Sequence, residues 1–160
     1  MSSYSKTIDS PIGILLLTSD EHHLKSIGFD VAMTEEHQWI PDVLLQAQKE
    51  LEEYFSGTRR QFEVALYPEG TPFQQLVRKQ LEKVKFGSIK SYIDIARAIG
   101  CENGSRAVGM ANGKNPIPII IPCHRIIGHN GKLTGYAGGL ARKKWLLLHE
   151  QNSSGGGGLF

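Results

Sequence analysis

Apolar and polar positions alternate through the first thirty residues. The runs "YSKTID", "GILLLTS" and "HLKSIGFD" are separated by "SPIG" and "SDEH", whose Ser, Pro, Gly and Asp suit turns. The pattern predicts a β-meander. Further on the period lengthens. In "PDVLLQAQKELEEYFSG" the residues Leu44, Ala47, Leu51, Tyr54 and Phe55 fall on one helical face, with Pro41 near the start and Gly57 at the stop. "QFEVALY" reads as a further strand, and "PEGTP" marks a boundary.

Beyond the boundary the pattern is helical with short connections. "TPFQQLVRKQLEKV" offers Thr71 as N-cap, Pro72 at the first helical position and Gln74 two residues on, a capping box. Phe73, Leu76, Val77, Leu81 and Val84 then face one way. "SYIDIARAIG" predicts a helix capped by Ser91 and stopped by Gly100, and "ENGSRAVGMANG" a second short helix with small residues at 107, 109 and 111. Two short helices across a Gly-containing turn fit a helix-turn-helix, a pattern that any αα-hairpin shares. A last helix follows at "GLARKKWLLLHEQ", and "NSSGGGGLF" has the composition of a flexible tail. The expected fold class is α+β with two domains. Residues 1–70 form a small β-meander plus helix, residues 71–150 a helical, winged-helix-like domain with the helix-turn-helix, and residues 151–160 the tail.

Composition narrows the classes. A chain of 160 residues with 40% hydrophobic and 21% charged residues suits a globular protein with a proper core. No apolar stretch reaches the ~20 residues that span a bilayer, and the first residues lack the basic-then-apolar order of a secretory signal. A cytoplasmic, membrane-free protein is expected. The net charge of +2 hides a division. Residues 1–70 carry 5 basic against 12 acidic residues, a net of −7, while residues 71–160 carry 13 against 4, a net of +9. Such asymmetry points to a polyanion-binding half, and assigns it to the C-terminal one.

Two cysteines, Cys101 and Cys123, make no disulfide framework. A structural zinc site needs four Cys or His ligands at short spacings, and the paired His22 and His23 have no cysteine near them, so neither metal nor cofactor is expected. Cys123 is core filler or a nucleophile. Pro122, His124 and Arg125 around it are poor packing residues, and cations beside a thiol favour thiolate. A nucleophilic thiol also needs a base and the base an orienter. His124 is the obvious base, although neighbours in an extended chain point apart, so a bridging water or a turn at Pro122 is required. Glu150 is the only carboxylate after Glu102 and is the natural orienter.

Together "SRAVGMANGKNP", "NPIPIIIPCHRII" and "GYAGGLARKKWLLLHE" resemble the O6-alkylguanine-DNA alkyltransferases, densely over about residues 72–150 and loosely before them. The resemblance implies a single-turnover methylated-DNA–protein-cysteine S-methyltransferase. It makes Cys123 the acceptor of the alkyl group, His124 the water-bridged base, Glu150 its holder, and Asn115 the hydrogen-bonder that shapes the cysteine turn. The helix-turn-helix would then lie along the minor groove of double-stranded DNA containing O6-alkylguanine. Arg106 would fill the space of the flipped base, Tyr92 would crowd the target's 3′ phosphate, and Ala107 and Ala111 would allow close approach. Tyr136, Ala137 and Gly138 would line the alkyl-base pocket, Ala137 standing where some members carry serine. A monomer is expected.

Three other classes compete. A lesion-sensing binder would lack the cysteine. A thiol hydrolase would have no use for the basic half or for Arg106 and Tyr92. A helix-turn-helix regulator would not need "PCHR".

Overall fold

The computed structural model describes residues 2–34 and 39–154, in two compact units, Met1–Glu69 and Gly70–Phe160. In the first unit the meander forms as three antiparallel strands in the order β1 (Tyr4–Ile8), β2 (Leu15–Ser19) and β3 (Leu24–Gly28). Tyr4 pairs with Ser19 and Ile8 with Leu15; Leu16 pairs with Gly28, and the register shifts between Thr18 and Ser19. The two-residue alternation buries Leu15, Leu17 and Ser19 on one face. Helix α1 (Asp42–Phe55) covers the sheet with Val43, Leu44, Ala47, Leu51 and Tyr54.

The segment 61–67 is not a strand. It touches the sheet through one parallel bridge, Leu24 to Leu66, closed by Leu24 N–H on the Ala65 carbonyl and Tyr67 N–H on the Leu24 carbonyl. The cause lies in α1. The buried Glu50 carboxylate accepts the main-chain N–H groups of Glu63 (2.9 Å) and Val64 (3.1 Å), so a side chain satisfies the donors that a ladder would have used.

In the second unit α2 (Pro72–Leu81) starts with the capping box at Thr71 and Gln74, and α3 (Tyr92–Ala98) with another at Ser91 and Asp94. Gly100, at φ +77, is the left-handed residue beyond α3, and α4 (Ser105–Gly113) begins four residues after the Cys101 turn. Helices α2, α3 and α4 pack on one another. The face expected for α2 is altered at two positions: Leu76 is 51% exposed, whereas Arg78 is buried and donates to the Lys114 carbonyl just past α4. A parallel pair, β4 (Lys90–Ser91) with β5 (Ile126–Ile127), joins the start of α3 to the segment after the cysteine. Helix α5 (Leu140–Ser153) closes the unit and runs three residues into the segment read as a tail; residues 155–160 lie outside the described residues.

Gly87 fixes one end of this arrangement. Its φ of +80 belongs to the left-handed region, and a β-carbon there would stand 2.7 Å from Ser154 Oγ and 3.2 Å from Ser154 Cβ at the end of α5. Gly87→Ala is expected to lower stability by about 1–2 kcal/mol from backbone strain alone, read as a lower urea midpoint with an unchanged slope.

Candidate active site

The isoleucine-rich segment before Cys123 is built from turns rather than a strand. Asn115 shapes it: its Oδ1 accepts the Ile117 N–H (3.0 Å) and its Nδ2 donates to the Ile121 carbonyl (2.7 Å). Between them Ile119 adopts φ +75, a strained conformation for a β-branched residue, held by complete burial. Pro122 then opens a 3-10 turn over Cys123–Arg125, which supplies the change of direction that an extended chain would lack. The Cys123 carbonyl accepts from Asn112 Nδ2 on α4 (3.1 Å), and the Arg125 N–H bonds the Pro122 carbonyl.

Cys123, His124 and Glu150 are all buried, at 3%, 0% and 1% exposure. Glu150 Oε2 lies 2.6 Å from His124 Nε2 and accepts Arg125 Nη2 (3.1 Å); its Oε1 accepts Arg125 Nε (2.8 Å) and the Gly87 N–H (3.2 Å). Burial raises a carboxyl pKa, but here the charge and hydrogen bonds of His124 and Arg125 outweigh it and hold Glu150 well below the usual carboxylate range. His124 moves down, because burial disfavours the imidazolium more than Glu150 favours it. A neutral imidazole facing an ionised carboxylate carries its proton on Nε2. Its Nδ1 is then a bare acceptor, buried and without a hydrogen-bond partner among the described residues.

The thiol departs from expectation. Burial pushes Cys123 up to about 11, opposed by Asn115 and Lys143. Arg125 does not serve it, because its guanidinium is taken by Glu150 and, through Nη1, by the Val84 carbonyl (2.6 Å). The cation nearer the thiol's chemistry is Lys143 of α5, fully buried, its Nζ donating to the carbonyls of Ile126 (2.6 Å) and Thr134 (2.7 Å). Burial brings it down to about 8. Sequence reasoning missed Lys143, Asn112 and the role of Arg125. One signal was available: 143, 146, 147 and 150 form a single helical face, so the lysine shares the buried side with Glu150.

The remaining predicted residues divide. Tyr92 opens α3, with its hydroxyl on the Thr134 carbonyl (3.2 Å) and its ring beside Gly109. Arg106 and Ala107 are exposed at the start of α4. Ala111 is only 5% exposed and turns into the unit, so it is withdrawn from the outward face; Met110, 64% exposed, stands there instead. Tyr136 buries its hydroxyl, and burial together with the nearby Cys123 thiol raises its pKa well above the ordinary value. Ala137 is exposed, while Gly138 is buried and its carbonyl accepts Arg142 Nη1 (3.0 Å). Among the described residues no cluster of three or more His, Cys, Asp or Glu could hold a metal, and no helix is long and apolar enough to cross a membrane.

The fold thus brings a buried cysteine, a neutral histidine and a locked carboxylate together beside two short helices joined by a Gly-containing turn. Comparison with known proteins gives the family. A profile described as the 6-O-methylguanine DNA methyltransferase DNA binding domain matches residues 72–152, and one described as the ribonuclease-like domain of the same proteins matches residues 3–68. The methylated-DNA–protein-cysteine methyltransferase of Methanosarcina acetivorans is 45% identical over 92% of this chain and 97% of its own. The constitutive enzyme of that name from Bacillus subtilis is 38% identical over 95% and 97%. The crystal structure of Mycobacterium tuberculosis O6-methylguanine methyltransferase superposes with a TM-score of 0.85 at 43% identity, covering 95% of this chain and 94% of that one. One of Mycobacterium tuberculosis OGT in complex with DNA gives 0.84 at 43%, covering 93% of each. The chain belongs to the 6-O-methylguanine DNA methyltransferase family.

The site predicts how stability follows pH. Glu150 has a folded pKa below its unfolded value of about 4.3, so its contribution is fully present above that value and is lost progressively as pH falls below it toward the folded pKa. His124 is also depressed, so the stability it gives by staying neutral is present above about 6.5 and declines below. Urea unfolding should therefore show stability declining from about pH 6.5 and steepening below about 4.5. Glu150→Gln should cost about 3–5 kcal/mol at pH 7, with the gap to wild type narrowing below about pH 4.5. A gap that stayed constant to pH 3 would mean the carboxylate is not ionised in the fold.

Proposed function

We propose that the protein repairs DNA by moving the alkyl group of O6-alkylguanine onto its own Cys123, once per molecule. The observation that carries this reading is the bare, buried Nδ1 of a neutral His124 whose other nitrogen is fixed by an ionised Glu150. A base so placed is ready to accept a thiol proton, and the carboxylate stabilises the imidazolium that results.

The step balances as follows. The Cys123 proton passes through a bridging water to His124 Nδ1, and the thiolate attacks the alkyl carbon. A sulfur–carbon bond forms as the bond from that carbon to guanine O6 breaks, and the guanine leaves with the electron pair and regains a proton. The product is a thioether, which His124 and water cannot cleave, so the acceptor is spent. Lys143, beside the reacting centre, favours the thiolate by its charge. Asn115 keeps the cysteine turn in shape.

The substrate is double-stranded DNA met through the minor groove, with the damaged base flipped out at a cost of a few kcal/mol. The excess of basic residues in the second unit suits that partner. The exposed Arg106 at the start of α4 is suited to occupy the vacated space, with Ala107 beside it, and Tyr92 faces the target phosphate. Tyr136, Ala137 and Gly138 line the pocket for the base. We read the protein as a cytoplasmic monomer.

Mixing the protein with a slight excess of duplex carrying one O6-methylguanine should add one methyl group per chain, mapped to Cys123 and saturating at one equivalent. Cys123→Ala should abolish transfer and keep binding; transfer at the normal rate would overturn the assignment. Arg106→Ala should slow repair of duplex by at least about tenfold, the scale of losing one charged contact, and leave reaction with free O6-benzylguanine nearly unchanged. Equal slowing of both would remove the flipping role.

A further inference from the structure

Thr134 belongs to no helix or strand and lies in the connection from β5 to α5, two residues before Tyr136. Three hydrogen bonds meet on it. Its carbonyl accepts the Tyr92 hydroxyl (3.2 Å) and the Lys143 ammonium (2.7 Å), and its own hydroxyl donates back to the Tyr92 oxygen (3.3 Å). One residue thus takes the phenol's proton and fills one of its lone pairs. The Lys143 ammonium also stands 5.8 Å from the centre of the Tyr92 ring. Around Thr134 the chain has few constraints of packing: Gly131 and Gly135 have φ of +81 and +33, and neither has an atom within 4 Å of where a side chain would stand. Hydrogen bonds therefore do much to set its course.

We infer that Thr134 is a positioning residue that fastens Tyr92, at the start of the helix-turn-helix, to the loop that carries the base pocket. The inference rests on the reading of Tyr92 as the residue that faces the target phosphate. A tyrosine at a helix start would otherwise move freely about its side-chain torsions, and aiming it would be left to the moment of DNA contact. With its hydroxyl held at both its donor and acceptor sides by Thr134, the ring is aimed in advance, while the pocket loop itself is held by the Lys143 bond to the Thr134 carbonyl, which does not involve the hydroxyl. Lys143 completes the fastening from α5, so the loop is tied to both α3 and α5.

Thr134→Val keeps the carbonyl and the shape at the β-carbon and removes only the hydroxyl. We would measure second-order rates on O6-methylguanine duplex and on free O6-benzylguanine for Thr134→Val, Tyr92→Phe, the double variant and Tyr92→Ala. Thr134→Val is expected to slow duplex repair about three- to tenfold, the scale of one hydrogen bond, and to leave the free-base rate unchanged. In the Tyr92→Phe background it should add nothing, because the bond it removes is already gone. Equal slowing on both substrates, an additive double variant, or no slowing at all would overturn the role of Thr134. Tyr92→Ala separates this from the underlying reading. If it fails to slow duplex repair, the assignment of Tyr92 falls and Thr134 with it; if it slows repair while Thr134→Val does not, only Thr134 falls.

Discussion

A charged carboxylate inside a protein is the constraint on which the second unit is organised. Removing Glu150 from water costs several kcal/mol unless hydrogen bonds and opposite charge are supplied in good geometry. They come from Arg125, His124 and the main chain at Gly87, segments far apart in sequence. To satisfy one side chain, the turn after α2, the cysteine turn and the last helix must converge. Gly87 is left-handed where its N–H meets Glu150, and Arg125 directly follows His124, so that its guanidinium reaches the same carboxylate.

That convergence also decides which nitrogen of His124 carries its proton. With Nε2 committed to the carboxylate, the other nitrogen is left as a bare acceptor. Arg125 neutralises Glu150, so the histidine need not be charged to keep its partner company. The thiol is held to the same standard of rigidity by different means: a strained Ile119, the Asn115 clamp and the Asn112 bond to the Cys123 carbonyl. Because Asn112 lies on α4, the main chain at Cys123 and the outward-facing helix share a hydrogen bond.

Features specified by adjacent residues were legible in the chain. The capping box at Thr71, the Ser91 cap, the Gly100 stop and the alternation of the meander each need only a few neighbours, and each formed. The pair β4 and β5 left no periodic trace, because two residues cannot show a period and their partner is thirty-six positions away. Segment 61–67 has the composition of a strand but loses its donors to Glu50, a choice made in another helix. Arg78 replaces Leu76 on the inner face since a guanidinium can reach a distant carbonyl, which hydrophobic spacing does not register. Within the site, the sequence singled out Cys123, His124 and Glu150, and the fold places His124 and Glu150 in hydrogen-bond contact directly after the cysteine. Arg125 was given the wrong task because a cation beside a thiol can serve whichever anion the fold brings closer.

A thiol whose pKa rests near 11, at 3% exposure, also has a consequence for time spent idle. Oxidants and stray electrophiles attack thiolate, and they attack it where they can reach it. In the unoccupied protein the sulfur offers almost none and is closed to bulk solution. The same burial that holds the thiol protonated therefore lengthens its shelf life, keeping it in reserve through ordinary redox stress.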